Sequence, residues 1–340
     1  MGLTEMMSSG AQAPAPRRRR RWLGCLPLVV LLVVAVGVGW YLGVHQNLLP
    51  QPVVEGCVAD TPDGIVDLDV DQMQNAATIT AVTVARDLPE RAATIALATA
   101  MQESQLVNLS GGDLDSVGLF QQRPSQGWGE ATQIEDPVYA TDKFLDRLTA
   151  VPGYAELPLT VAAQDVQHSG YPDAYAQHEP DATVLSGALS GRNPAGATCQ
   201  VNSVGAAASA GAGANAFSAQ LTKEFGQTVS PTVLPLPAGS GSASASASPS
   251  AATDAQLTVS AKPGLTTGAQ RNWAVAVWAV THCQDLHISA VQYAGKQWTS
   301  TNSTAGWQPV AGASGSAAPT GSATGSAAGS TSVLITVAAH

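Results

Sequence analysis

The sequence predicts a mainly α protein: an N-terminal transmembrane helix, a helical domain and a small C-terminal α/β module. Three observations lead there. Residues 22–44 carry no charge and follow five consecutive arginines at 17–21. Apolar residues recur at helical spacing through much of 66–191. Beyond Cys199 the composition falls to small residues, and pattern returns only near Gly264.

The uncharged run comes first in the chain. As a helix, its 23 residues would reach about 34 Å, enough for the hydrocarbon core of a bilayer. The arginines before it would hold a basic tail, residues 1–21, in the cytoplasm and export the rest. Trp40 and Tyr41 close the run, where amphipathic rings favour the membrane interface. A cleaved signal peptide is the competing reading. It fits less well, because the run exceeds a usual h-region and no A-x-A site follows. The expected location is the cell membrane, single-pass, with the cytoplasmic membrane as a partner through 22–44.

Four cysteines are present, and Cys25 falls inside the apolar run. Cys57 and Cys199 bracket the best-patterned stretch, and an exported setting permits a disulfide between them. Two unpaired thiols are the alternative, since connectivity cannot be read from spacing.

The helical domain is placed at 55–200. Asp69 or Asp71 can cap a first helix through Met73, Ala76, Ile79, Ala81 and Val84. Pro89 suits the start of a second helix, which runs through an Ala-rich stretch to about Ser104. Further helices are expected at 137–151 and 160–168. The Gly, Asp, Ser and Gln of 105–136 read as loop.

Residues 201–263 read as an Ala/Gly/Ser/Pro-rich linker, most plainly at 239–250. The α/β module is placed at 264–340. Val275, Trp278, Ala279 and His282 suggest a helix over 271–285, and strands are expected at 287–293, 297–301 and 333–337. A low-complexity insert occupies 311–332.

Charge excludes one class of partner. The chain carries a net −10, and between Cys57 and Cys199 there are 20 Asp or Glu against six Lys or Arg. Nucleic acid would be repelled. An anionic wall polymer would have to be held by shape and hydrogen bonds.

Glu103 is the candidate catalytic residue. On a helix starting at Pro89 it continues the stripe of Ala96, Thr99 and Ala100, near the C-terminus of that helix. Partial burial and the helix dipole there would both favour the protonated carboxyl that a general acid needs. An ordinary helix-end Glu facing water is the plain alternative.

The string ATAMQESQL at 98–106, followed by DSVGLFQQ at 115–122, resembles the goose-type lysozyme and soluble lytic transglycosylase superfamily. The longer DSVGLFQQRPSQGWG is similar to lysozyme-like domains of actinobacterial exported cell-wall proteins. The resemblance covers about 66–190 and implies a lysozyme-like fold. It also implies a Glu that protonates the glycosidic oxygen of a MurNAc–GlcNAc bond in peptidoglycan and then acts as base, with no cofactor. Glu103 and Ser104 match one family element. Gly118, Leu119, Phe120 and Gln121 match a second that lines the glycan groove, with Phe in place of Met. Gln122, Trp128 and Tyr171 join them as candidate sugar contacts; core packing is the plainer use of Phe120 and Trp128.

A lytic transglycosylase needs no second carboxylate, whereas a hydrolase commonly uses one. Asp113 and Asp115 are the candidates, although Asp in such a Gly-rich turn usually bonds its own backbone. A third family element, Tyr-Asn-x-Gly, is replaced here by Gln167, His168, Ser169 and Gly170. Two readings therefore stand: a glycan-cleaving enzyme, either transglycosylase or lysozyme-type, or an inactive glycan-binding module. The terminal module could engage a cell-wall protein partner. His282, Cys283 and His287 lack a second ligand cluster, so no metal is expected.

Overall fold

The computed structural model describes residues 26–45, 54–235, 254–310 and 331–340. The basic tail at 1–21, the tract at 239–250 and residues 311–330 of the expected insert lie outside them. The chain forms two compact units, Met1–Pro52 and Val53–His340.

In the first unit, helix α1 spans Leu26–His45. Among the described residues no helix is long and apolar enough to cross a membrane. The expected single-pass anchor, and the location drawn from it, are therefore corrected. The expectation treated all of 22–44 as one apolar rod. Of that run, residues 22–25 lie outside the described residues, and the described helix covers Leu26–His45.

The second unit opens with a hairpin, β1 (Gly56–Thr61) and β2 (Gly64–Leu68), turning at Pro62 and Asp63. Helices α2 (Val70–Ala85) and α3 (Glu90–Ser104) follow. Asp69 is the N-cap of α2, and its backbone N–H donates to Gln72 Oε1 at 3.1 Å. After a long loop come α4 (Ala131–Ile134), α5 (Pro137–Ala150) and α6 (Leu159–Gln167). A 3₁₀ segment, Pro172–His178, leads into α7 (Glu179–Leu189). Strand β3 (Ala197–Gln200) then pairs antiparallel with β1, completing a three-stranded sheet in the order β2-β1-β3. Cys57 and Cys199 are direct cross-strand partners in that pairing and form the disulfide.

The stretch read as a linker contains α8 (Ala210–Phe225), β4 (Val229–Val233) and β5 (Ala255–Ala261). Helix α9 (Gly268–Thr281) and strands β6 (Ile288–Tyr293), β7 (Lys296–Thr299), β8 (Gln308–Pro309) and β9 (Val333–Val337) complete the unit. The second sheet runs β4-β5-β9-β6-β7-β8, with its paired strands antiparallel. Ala294 and Gly295, both at positive φ, make the two-residue turn between β6 and β7.

The fold is thus mixed α/β with two antiparallel sheets, not mainly α with a small appended module. Small residues hid the strands and α8. Composition measures flexibility only when nothing packs against it, and here Phe217, Leu221 and Phe225 of α8 are buried. One continuous core runs from Cys57 to Val337, and α9 packs on α2 and α7. Side chains from β7 and from the segment after it also cap β3. Trp298 Nε1 donates to the Cys199 carbonyl at 3.1 Å and Trp307 Nε1 to that of Ala197 at 2.8 Å. A fragment ending at residue 200 would strip both, so functional tests require the whole chain.

A buried ionisable group joins α8 to α9. Glu224 accepts from Trp278 Nε1 at 2.6 Å and from Gln220 Nε2 at 2.7 Å, and faces His282 Nε2 at 3.3 Å. His282 Nδ1 lies 2.8 Å from the Trp278 carbonyl; a carbonyl only accepts, so Nδ1 carries a proton. Burial pushes the Glu224 carboxyl up. The facing His282 charge and the three donors outweigh that, leaving it below its usual 4.5. A depressed folded-state value means stabilisation present above about 4.5 and lost as pH falls through the folded-state value. Glu224→Gln is expected to cost about 1–3 kcal/mol at pH 7 and to flatten the loss of stability on acidification. Urea unfolding at pH 7 and at about pH 3.5 checks both.

Candidate active site

Glu103 sits on the last turn of α3, half-buried. The helix stops sharply after it. Gln105 and Leu106 both adopt left-handed backbone, φ 55° and 61°, conformations that cost non-glycine residues about 1 kcal/mol or more each. Two side chains of α2 offset that cost: Gln72 Nε2 donates to the Gln105 carbonyl and Asn75 Nδ2 to that of Leu106, both at 2.8 Å. Buried Leu106 closes the cap against the core, and its N–H donates to the Ala100 carbonyl. Glu103 is therefore on rigid backbone.

One carboxylate oxygen is fixed. The Tyr175 O–H donates to Glu103 Oε1 at 2.6 Å, and among the described residues Oε2 accepts no side-chain bond. Burial, then the Glu103 hydrogen bond and charge, push the Tyr175 phenol upward, with the Ser169 hydroxyl opposing. The phenol stays a donor. Beside this pair, Gln102 Oε1 lies 3.0 Å from Gln177 Nε2 and 3.1 Å from His178 Nε2. Burial lowers the His178 pKa, opposed by the Asp181 charge.

The matched Gly118, Leu119, Phe120 and Gln121 form the tip of a short hairpin, closed by reciprocal backbone bonds between Val117 and Gln122. Two side chains pin it beside Glu103. The Ser104 hydroxyl lies 2.7 Å from the Leu119 carbonyl, and Gln167 Nε2 donates to that of Phe120 at 2.8 Å. Gly118 has φ +78°, and a Cβ there would stand 2.6 Å from the Ile134 carbonyl oxygen. Gly118→Ala is expected to cost about 2–4 kcal/mol from left-handed strain plus that clash, read as a lowered urea midpoint.

Several expected sugar contacts take structural roles instead. Ser104, Leu119, Phe120 and Gln122 are buried. Phe120 stacks on Phe144 with centroids 4.7 Å apart, and Gln122 Nε2 holds the Ala140 carbonyl at 3.0 Å. Trp128 is 4 % exposed, with the Arg147 guanidinium lying over its ring at 3.3 Å. Phe120, Gln122 and Trp128 share one reason: α5 packs beneath the loop and meets them with Phe144, Ala140 and Arg147. Gln121 stays half-buried at the hairpin tip, beside Gly112. Tyr171 is 80 % exposed, and it is Tyr175, four residues on, that reaches Glu103. No local signal separates the two tyrosines, because the 3₁₀ segment carrying Tyr175 is oriented by its packing on α3.

The two candidate second carboxylates differ. Asp115 bonds Arg123 Nε at 2.8 Å, the Ser125 N–H at 2.8 Å and the Ser125 hydroxyl at 3.0 Å. Arg123 first, then Ser125, hold its carboxyl far below the usual carboxylate range. It is a fixed anion clamping a turn. Asp113 is exposed on the same loop. Neither bonds Glu103. Elsewhere, His287 Nδ1 contacts the Val204 carbonyl at 2.7 Å, and burial pushes the Cys283 thiol up to about 12. Two surface clefts of about 370 and 380 Å³ lie along the β1–β3 sheet rather than at Glu103.

No protein-family model matches the chain, and no curated protein matches it either.

Proposed function

We propose that this chain cleaves peptidoglycan glycan strands at MurNAc–GlcNAc bonds, with Glu103 as a single acid/base. The observation that carries the reading is the 2.6 Å bond from Tyr175 to Glu103 Oε1, at a helix end pinned to the Gly118–Gln121 hairpin tip. It aims Oε2 while leaving that atom unoccupied by side chains. Protonated Glu103 would give its proton to the glycosidic oxygen as the C–O bond breaks. The resulting carboxylate would then take the proton of the sugar's own 6-hydroxyl as that oxygen closes on the anomeric carbon. Every proton is accounted for without a second carboxylate. The engagement of Asp115 by Arg123 and Ser125 favours this route over a two-carboxylate hydrolase.

Gln102, Gln121 and Gln177 supply amides for sugar hydroxyl and acetamido groups beside Glu103. Positive charge is not required of this site, which accords with the acidic balance of the region. The test is digestion of purified peptidoglycan by the whole chain, with products read by mass spectrometry. Anhydro-muropeptides are expected. Reducing-end muropeptides would instead assign a hydrolase, with Asp113 the carboxylate to examine.

A further inference from the structure

We propose that the cleft between the β1–β3 edge and the β7–β8 strands binds the peptide stem of peptidoglycan, a short zwitterionic peptide. This deepens the proposed function and rests on it for the identity of the polymer.

The cleft measures about 380 Å³ and is lined by Asp60, Ala195, Thr198, Lys296 and Trp307 among others. That volume suits a ligand of a few residues. Its apolar wall is fixed: Trp307 Nε1 donates to the Ala197 carbonyl at 2.8 Å, and the indole meets Trp273 edge-on at 5.5 Å. Its charges are opposite and uncommitted. Asp60 at the end of β1 and Lys296 at the start of β7 are both exposed, and among the described residues neither side chain has an ion-pair or hydrogen-bond partner. The remaining charges of this region are mostly spent in pairs, such as Arg192 with Asp63 and Glu90.

A neutral sugar would match the indole and leave both charges idle. An anionic polymer or free phosphate would suit Lys296 and be repelled by Asp60. A zwitterionic peptide satisfies all three: carboxylate to Lys296, ammonium to Asp60, apolar side chain against Trp307. Peptidoglycan stems carry free carboxylates and, through their diamino acid, a free amine. The glycan would then lie at Glu103 while its stems are held by a separate site.

The test uses the whole chain and the two products of amidase digestion, free stem tetrapeptide and peptide-free glycan strands, each titrated calorimetrically. The tetrapeptide is expected to bind, and Lys296→Glu and Asp60→Lys are each expected to weaken it about tenfold or more. Both variants change exposed side chains without partners, so folding is retained. Glu103→Gln is expected to leave tetrapeptide affinity unchanged, and the charge variants to leave glycan affinity unchanged. No tetrapeptide binding, or equal binding by the charge variants, would overturn the proposal; if the glycan strands still bind, the Glu103 reading survives alone. Charge-dependent tetrapeptide binding without glycan binding would sustain the cleft and count against the Glu103 site.

Discussion

Glu103→Gln is expected to reduce release of soluble muropeptides by about a thousandfold with little change in the urea midpoint. The amide keeps the shape of the side chain, and its oxygen can still accept from Tyr175. What it loses is the transferable proton. Asp115 cannot replace it, because Arg123 and Ser125 hold that carboxyl as an anion. Tyr175→Phe separates aim from chemistry: the acid remains while its 2.6 Å tether is gone. A loss of about tenfold, mainly in kcat, is expected. Release rates and urea melts run on the same preparations check both variants. A collapse of the melt in Glu103→Gln would assign the loss to unfolding instead.

Removing the disulfide is expected to have the largest effect on stability. Cys57 and Cys199 close a loop with a sequence separation of 142, and loss of that constraint costs about 5 kcal/mol in the chain-entropy model. That is comparable to the whole stability of many domains. The bridge also lies beside the carbonyls that hold Trp298 and Trp307, so both halves of the unit depend on it. Urea unfolding of the Cys57→Ser/Cys199→Ser double variant, against the oxidised chain, measures the loss. An unchanged midpoint would contradict this account. The damage should reach the peptide cleft before Glu103, because the cleft contains β3 itself whereas α7 lies between the small sheet and α3.

What could be read from the sequence follows from where the relevant physics is local. Helices α2, α3, α5, α6 and α9 were legible because apolar spacing and well-placed prolines such as Pro137 act within a turn or two. Strands β6 and β7 were legible for the same reason. The bridging of Cys57 to Cys199 was favoured by their position around the patterned stretch. Glu103 was legible as a helix-end carboxylate, but only the resemblance lifted it above an ordinary surface Glu.

One miss is local: the Pro62-Asp63-Gly64 turn, flanked by Val58 and Val66, carries a hairpin signal. The others are nonlocal. Strands β4 and β5 lay in a composition that suggested linker, and only their pairing to each other and to β9 defines them. Removal of the membrane span took the expected location with it. At the site, Phe120 and Trp128 have the chemistry of sugar platforms, yet α5 covers them. Tyr171 was the tyrosine expected at the site, and only the fold brings Tyr175 to Glu103 instead.

Whether the Glu103 site both holds and cuts glycan can be measured directly. Whole chain and its Glu103→Gln variant are incubated with insoluble peptidoglycan, and each sample is divided into pellet-bound protein and soluble muropeptide. Both proteins are expected to sediment with the polymer, and only the wild type to release soluble fragments. Equal sedimentation with no release by either protein would contradict the account and leave a glycan-binding module in its place.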